Sequence, residues 1–158
     1  MKKFTPVLLA SVMLFGAVAC ADGAKTSADA PNTITDPAEI PDADEAQDSQ
    51  EDGQSQVRQN QLNADIRARE QRNNALNDGA AEGRSDDDLE SEVRSKLEAN
   101  LPAGALVIKA EDGAVIVSGT VPTQEQFERI EPLAKEIKGV QSVNVKAAIA
   151  PAQPKENN

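Results

Sequence analysis

The sequence predicts an α+β domain over residues 85–147, a small αββαβ module in which two helices cover one face of a three-stranded sheet. Apolar residues recur every three or four positions in residues 89–101 and again in residues 127–137, as on the buried face of a helix. Between these stretches, two runs rich in β-branched residues flank Asp112-Gly113, a dipeptide typical of tight hairpins. A further run of that kind closes the domain.

The first helix is predicted to begin at Ser85, which stands three residues before Asp88 in the spacing of a capping box. The helix dipole stabilises acidic residues in a first turn, which explains Asp86 to Asp88 without a bound calcium ion. Pro102 and Gly104 end the helix. The predicted buried face consists of Leu89, Val93, Leu97 and Leu101.

The hairpin register follows from placing Asp112-Gly113 at the two-residue turn. On the face expected to meet the helices, the pairs are Ala110 with Val115, Ile108 with Val117, and Leu106 with Gly119. Val107 and Ile116 lie on the other face, and we expect them to be half exposed. Gly113 supplies the positive φ that the turn requires, and Gly119 permits close packing between the strands.

The second helix is predicted to begin at Thr123, again with capping-box spacing, and to be capped by Lys138-Gly139. Pro132 removes one backbone hydrogen bond and is expected to kink this helix. Residues 148–158 are predicted to be a disordered tail. The expected buried positions are Phe127, Ile130, Ala134 and Ile137 in the helix, and Val143, Val145 and Ala147 in the last strand.

These motifs, taken in order, resemble the BON (bacterial OsmY and nodulation) family. The elements that carry the resemblance are the Asp112-Gly113 hairpin, Ser118-Gly119-Thr120-Val121, and Gly139-Val140-Gln141-Ser142-Val143. The resemblance implies a compact αββαβ module of periplasmic, outer-membrane and secreted bacterial proteins. It further implies a link to envelope integrity and osmotic stress, and in some members to phospholipid binding.

The first nineteen residues are predicted to be an export signal. Lys2 and Lys3 precede an apolar stretch that is too short to cross a bilayer as a helix. Cys20, the single cysteine, follows small residues as in a lipoprotein cleavage site, which predicts lipidation of its thiol. Two Ala-x-Ala triplets, residues 17–19 and 19–21, offer ordinary cleavage sites instead. The first would leave Cys20 as a free thiol, and the second would remove it.

Residues 20–53 are predicted to be a disordered acidic tether, because ten acidic residues face a single lysine between Ala21 and Gly53. Residues 54–84 form a spacer with the pattern of a marginal helix. Leu62, Ile66, Leu76 and Ala80 share one face of this helix, with Asn73 on the same side. The spacer is either partly helical and unattached, or a helix that docks on a partner or on the following domain.

Composition excludes several classes of function. The chain has no histidine and one cysteine, so a histidine-based catalytic unit and the usual nitrogen or sulfur metal site cannot form within it. A net charge of −11 argues against nucleic acid as a partner. We therefore expect no catalytic residue, no metal and no cofactor. The basic residues that could touch lipid headgroups or a partner are Arg129, Lys135 and Lys138, on the second helix and at its end.

The sequence thus predicts a non-enzymatic lipoprotein of the bacterial cell envelope. Acyl chains on Cys20 would hold it in the inner or the outer membrane, and the folded module would serve envelope maintenance or the osmotic stress response. Its expected partners are the membrane and either phospholipid or an envelope protein. Two alternatives remain open: a domain that binds phospholipid directly through its second helix, and a soluble secreted or periplasmic protein without lipid.

Overall fold

The structure is a computed structural model that describes residues 23–153. The elements in chain order are β1 (Ala24–Lys25), α1 (Ala43–Gln54), α2 (Gln56–Leu76), α3 (Asp86–Asn100), β2 (Ala105–Glu111), β3 (Ala114–Val121), α4 (Gln124–Lys135), β4 (Ser142–Val145) and β5 (Ala148–Ile149). From α3 to β4 the order is α-β-β-α-β, so the predicted α+β class is confirmed. The predicted signal peptide, Cys20 and the last five residues lie outside the described part of the chain.

The sheet has five strands in the described residues, where the sequence predicts three. Strands β1 to β4 are neighbours in sequence order, and β5 pairs with the end of β3. The β2–β3 register is the predicted one, with Ala110 opposite Val115 and Ile108 opposite Val117. Both β4 and β5 run parallel to β3, whereas β1 runs antiparallel along the outer edge of β2. The two additional strands are two-residue pieces that extend the predicted sheet at its margins.

The core lies between this sheet and the helices α3 and α4. The predicted buried face of α3 is confirmed, because Leu89, Val93, Leu97 and Leu101 are at most 2% exposed. Ile130 and Ala134 of α4 are fully buried against them, and Phe127 packs partly buried at the margin. With one aromatic side chain at its edge, the core depends on close packing of aliphatic residues.

Helix α4 begins where the sequence predicts and ends earlier. The Thr123 hydroxyl accepts a hydrogen bond from the Gln126 backbone N–H at 3.2 Å. The helix continues past Pro132 to Lys135, and its C-cap is Glu136 rather than the predicted Lys138-Gly139. Gly139, at φ +97°, instead reverses the chain between α4 and β4.

Val107 is fully buried, whereas the sequence predicts that it is half exposed. Strand β1 explains the difference. A Cβ placed on Gly23 would lie 2.7 Å from Val107 Cγ2, so the segment before β1 lies directly over this side chain. Ile116, on the same face, is half buried as predicted.

The described part of the predicted tether, residues 23–53, is folded against the domain, which differs from the expectation of disorder. The Thr26 hydroxyl donates to the Gly104 carbonyl at 2.7 Å and accepts from the Leu106 N–H at 2.9 Å. Further on, Asp42 and Glu45 form a complete capping box at the start of α1. Pairing at the open edge of β2 and this helix cap give the segment order without a large apolar surface.

The predicted marginal helix is the continuous helix α2, and it docks on α3. Leu62 is 1% exposed and Asn73 is buried, as the predicted face requires. Leu76 is 81% exposed, and Ala80 is exposed in the loop after α2, which corrects their assignment to that face. Leu76 is the last residue of α2, beyond the point where Arg72 meets Asp88 at the start of α3. None of the helices in residues 23–153 has the length and apolar character of a bilayer span.

Candidate functional site

Helix α3 has a second buried surface, formed by polar and ionisable residues. This charged face consists of Asp88, Ser91, Glu92, Ser95 and Glu98. Glu92 is 1% exposed and Ser95 is fully buried, because α2 and the loop after it cover them. Carboxylates are rarely so buried unless they are paired, so each needs a partner at this interface.

Arg84, in the loop between α2 and α3, is the partner of Glu92. Both side chains are 1% exposed, and the Arg84 guanidinium contacts both carboxylate oxygens of Glu92. Its Nη1 also donates to Glu70 of α2 at 2.7 Å and to the backbone carbonyl of Lys138 at 2.6 Å. One guanidinium therefore joins α2, α3 and the turn after α4, using the planar fork that distinguishes arginine from lysine.

Burial raises the pKa of Glu92 from 4.5 to about 7. The hydrogen bond and the charge of Arg84 act in the opposite direction, and they offset only part of the cost of desolvation. The carboxylates of Glu70 and Asp88 add to the increase. Glu92 therefore gains or loses its proton near neutral pH while enclosed in the interface.

Asp65 of α2 inserts into the middle of the charged face. Its carboxylate accepts hydrogen bonds from Ser91 at 2.8 Å and Ser95 at 2.9 Å, and it lies 3.3 Å from Arg69 and 3.4 Å from Arg94. Burial raises the pKa of this carboxyl, but the two hydroxyl donors and the two arginines together hold it below its usual value. Asp65 is thus charged at neutral pH.

Ion pairs hold α2 at both ends of the charged face. At one end, Arg69 and Arg72 donate to the same oxygen of Asp88, at 2.9 and 2.6 Å. At the other end, Arg58 lies 2.5 Å from Glu98, which Arg94 also contacts at 2.8 Å. The α2–α3 contact is therefore chiefly electrostatic.

A raised carboxyl pKa often marks a catalytic acid, so Glu92 requires an explanation. Its side chain is enclosed, and its oxygens face Arg84 rather than a cleft open to solvent. Within residues 23–153, no three carboxylate, histidine or cysteine side chains are arranged to hold a metal ion. The arrangement can bind one protein element to another and can respond to protons and to salt.

The predicted lipid-contact residues lie on or just after α4 and are exposed. Lys135 pairs with Glu131 at 2.6 Å, four residues before it on the same helix. Lys138 donates to the carbonyl of Gly79 at 2.8 Å, so it contacts the loop after α2. Two of the three cations, Arg129 being the third, thus have partners within the protein.

The predicted turn residues occupy strained or crowded backbone positions. Asp112 and Gly113 have φ values of 49° and 82°, as the two central residues of a tight hairpin turn require. A Cβ on Gly119 would lie 2.1 Å from the Ala105 carbonyl oxygen, and one on Gly139 would lie 2.8 Å from that of Ala81. Each of these positions has a structural role that needs no ligand.

Sequence reasoning missed Arg84 and the charged face. A signal was present, because Asp88, Glu92 and Ser95 recur at helical spacing beside the apolar repeat of the same helix. The arginines that complement them occur at helical spacing in residues 58–72. Matching the two patterns would have predicted that α2 docks through charge.

Residues 85–151 match the family described as BON domain. This part of the chain is a BON domain. The match extends past the predicted end at residue 147 and so includes β5. Over 55 residues the chain is 42% identical to osmotically-inducible protein Y of Escherichia coli (strain K12). That alignment covers 34% of this chain and 27% of the relative, so the chain spans about a quarter of the relative's length.

Proposed function

We propose that this protein is a lipid-anchored, non-catalytic component of a bacterial cell envelope. In this proposal its BON domain is an interaction module in envelope maintenance or the response to osmotic stress. The observation that carries the proposal is the BON domain of residues 85–151, which the chain shares in part with a protein described as osmotically inducible. Fold alone does not define a function, so the site and the leader sequence supply the remaining support.

The chemistry of the site supports a role in binding rather than catalysis. The most perturbed carboxyl group, that of Glu92, is enclosed and faces a guanidinium. Within the described residues, the Glu92 carboxylate is hydrogen-bonded by Arg84 and by no nucleophile that is paired with a base. A buried ion pair that joins three elements is best explained as an organiser of structure.

The leader supports export and anchoring. A basic start, an apolar stretch of signal-peptide length and the small residues before Cys20 are the features of a lipoprotein leader. Two acyl chains on one residue suffice for stable membrane attachment. The protein would then face the periplasm or the cell surface, on the inner or the outer membrane.

The intact mass of the mature protein tests this proposal. A chain that begins at Cys20 and carries acyl mass is the expected result, together with release from membranes when Cys20 is replaced in a Cys20→Ser variant. Ser11→Ala, a change inside the leader that leaves the cysteine in place, is the matched control and should keep the acyl mass. A mature chain that begins at Cys20 without acyl mass, or at Asp22, would overturn the anchor.

A further inference from the structure

Helix α2 lies outside the BON domain of residues 85–151 and packs on the charged face of α3. A loop joins the two, and three of its residues have positive φ: Asp78, Gly79 and Gly83. Asn77 stabilises this loop by donating to the Glu82 carbonyl at 2.7 Å. The loop is a structured connection at which α2 can change position relative to α3 without breaking a helix.

Little apolar surface holds α2 in place. Leu62 is its single apolar residue that is fully buried and Ile66 is partly buried, whereas Val57 and Leu76 are 69% and 81% exposed. A helix of average composition docks through a continuous apolar stripe, which this one lacks. The hydrophobic contribution to docking is therefore that of one fully buried and one partly buried side chain.

The ion pairs that replace the stripe remain accessible to solvent ions. On the α2 side, the exposed fractions of the charged side chains are 32% for Arg58, 24% for Asp65, 26% for Arg69, 31% for Glu70 and 51% for Arg72. Their partners on α3, Asp88 and Glu98, are 8% exposed, so salt weakens these pairs less than it weakens pairs that are exposed on both sides. The Debye length falls from about 8 Å at 0.15 M to about 3 Å at 1 M, which reduces the attraction on the exposed α2 side of each pair.

The contacts of α3 that do not involve α2 remain when α2 is released. Neither Arg84 nor Glu92 belongs to α2, so release of α2 breaks the bond of Arg84 to Glu70 and exposes the Arg84–Glu92 pair to solvent without separating its two partners. Arg84 also keeps its bond to the Lys138 carbonyl. The apolar face of α3 (Leu89, Val93, Leu97 and Leu101) packs on the sheet whatever α2 does. Salt can therefore act on α2 without unfolding the domain.

From these contacts we propose that α2 docks on α3 reversibly and that rising ionic strength releases it, which exposes the charged face of the BON domain. This inference deepens the proposed role in osmotic stress and rests on it for its biological meaning. It gives the protein a response to salt itself, because the screened ion pairs respond to ions and not to water activity.

Hydrogen exchange of the mature chain, read by mass spectrometry, tests the inference. Raising sodium chloride from about 0.05 M to about 1 M should increase exchange in residues 56–76 by about tenfold. Residues 105–121 should remain protected. Sucrose at the same osmolality should leave α2 protected, since an excluded osmolyte favours buried surface. Equal effects of salt and sucrose on α2, or faster exchange in residues 105–121 together with α2, would overturn the inference.

Two matched variants each remove one positive charge, one within the α2–α3 interface and one outside it. Arg58→Gln deletes one α2 contact while Glu98 keeps Arg94, so no buried carboxylate is left without a cation; Asp52, which also pairs with Arg58, is 71% exposed. Arg58→Gln should lower the salt concentration at which α2 exchanges. Lys135→Gln, on α4, should leave that concentration unchanged. If both variants lowered the salt concentration at which α2 exchanges by the same amount, the net charge of the protein, rather than the docking contact, would control the release of α2.

The experiment separates this inference from the proposed function. A mature chain without acyl mass would overturn the lipid anchor and leave the salt response intact. An acylated chain whose α2 exchange ignores salt would overturn the inference and leave the anchor intact.

Discussion

The two buried faces of α3 are built from different chemistry. The apolar face packs Leu89, Val93, Leu97 and Leu101 against the sheet and α4, whereas the charged face binds α2 through ion pairs and hydroxyl groups. Apolar burial is insensitive to pH and to moderate salt, but charge pairing depends on both. On one side, α3 therefore packs on the sheet and α4 under all these conditions. On the other side, its contact with α2 depends on pH and salt.

Replacement of Leu97 by Ala should show a large effect at every pH, because it removes apolar contacts from the face of α3 that packs on the sheet. Leu97 is fully buried in the core, and such a change typically costs about 2–5 kcal/mol of unfolding free energy, part of it from the cavity left behind. Urea denaturation should show one transition at lower urea for every probe. A loss confined to α2 would contradict the assignment of this face to the core.

Replacement of Arg84 by Met tests how much the Arg84 guanidinium contributes to the stability of the charged face. The change leaves Glu92 buried without a cation and removes the bonds to Glu70 and the Lys138 carbonyl. Breaking a buried pair typically costs about 3–5 kcal/mol. Because Glu92 can take up a proton, the loss measured by denaturation should be smaller at pH 5 than at pH 8. Arg84→Lys keeps the charge without the planar fork, so its unfolding free energy should lie between those of the unchanged protein and Arg84→Met.

The charged side should also impose a pH dependence that the apolar side lacks. The pKa of Glu92 is about 7 in the folded protein and 4.5 ordinarily, so the folded state binds this proton more tightly. The stability that this group contributes is full below pH 4.5 and is lost as pH rises to about 7, by about 3 kcal/mol in total. Glu92→Gln should flatten that part of the curve of unfolding free energy against pH.

Asp65 provides an internal comparison with the opposite sign. Its pKa lies below the ordinary 3.8, so the stability that it contributes is present at neutral pH and is lost as pH falls below about 4. Asp65→Asn should therefore change the acid limb of the curve and leave the region between pH 5 and 7 unaltered. A Glu92→Gln curve that keeps its slope between pH 5 and 7 would show that Glu92 is ionised throughout.

The same contrast explains what the sequence could reveal. Four-residue spacing identifies Leu97 as core, and Asp112-Gly113 determines the register of β2 and β3, because these signals depend only on neighbours in the chain. The role of Glu92 depends on Arg84, whose position is set by the loop after α2. Composition likewise predicted a tether, but strand β1 forms because β2 has an open edge, a property of the assembled sheet.

Replacement of Lys135 by Ala should show the smallest effect, because it concerns neither face of α3. Lys135 is half exposed and pairs with Glu131 on the same helix, a contact worth about 0.3–0.5 kcal/mol at most. Unfolding free energy should change by less than about 0.5 kcal/mol. The same variant in liposome flotation, with the unlipidated mature chain and vesicles containing anionic lipid, examines the alternative that α4 contacts phospholipid. Vesicle binding that Lys135→Ala abolishes would assign a lipid surface to α4. Vesicle binding that the variant retains in full would count against a lipid contact through Lys135.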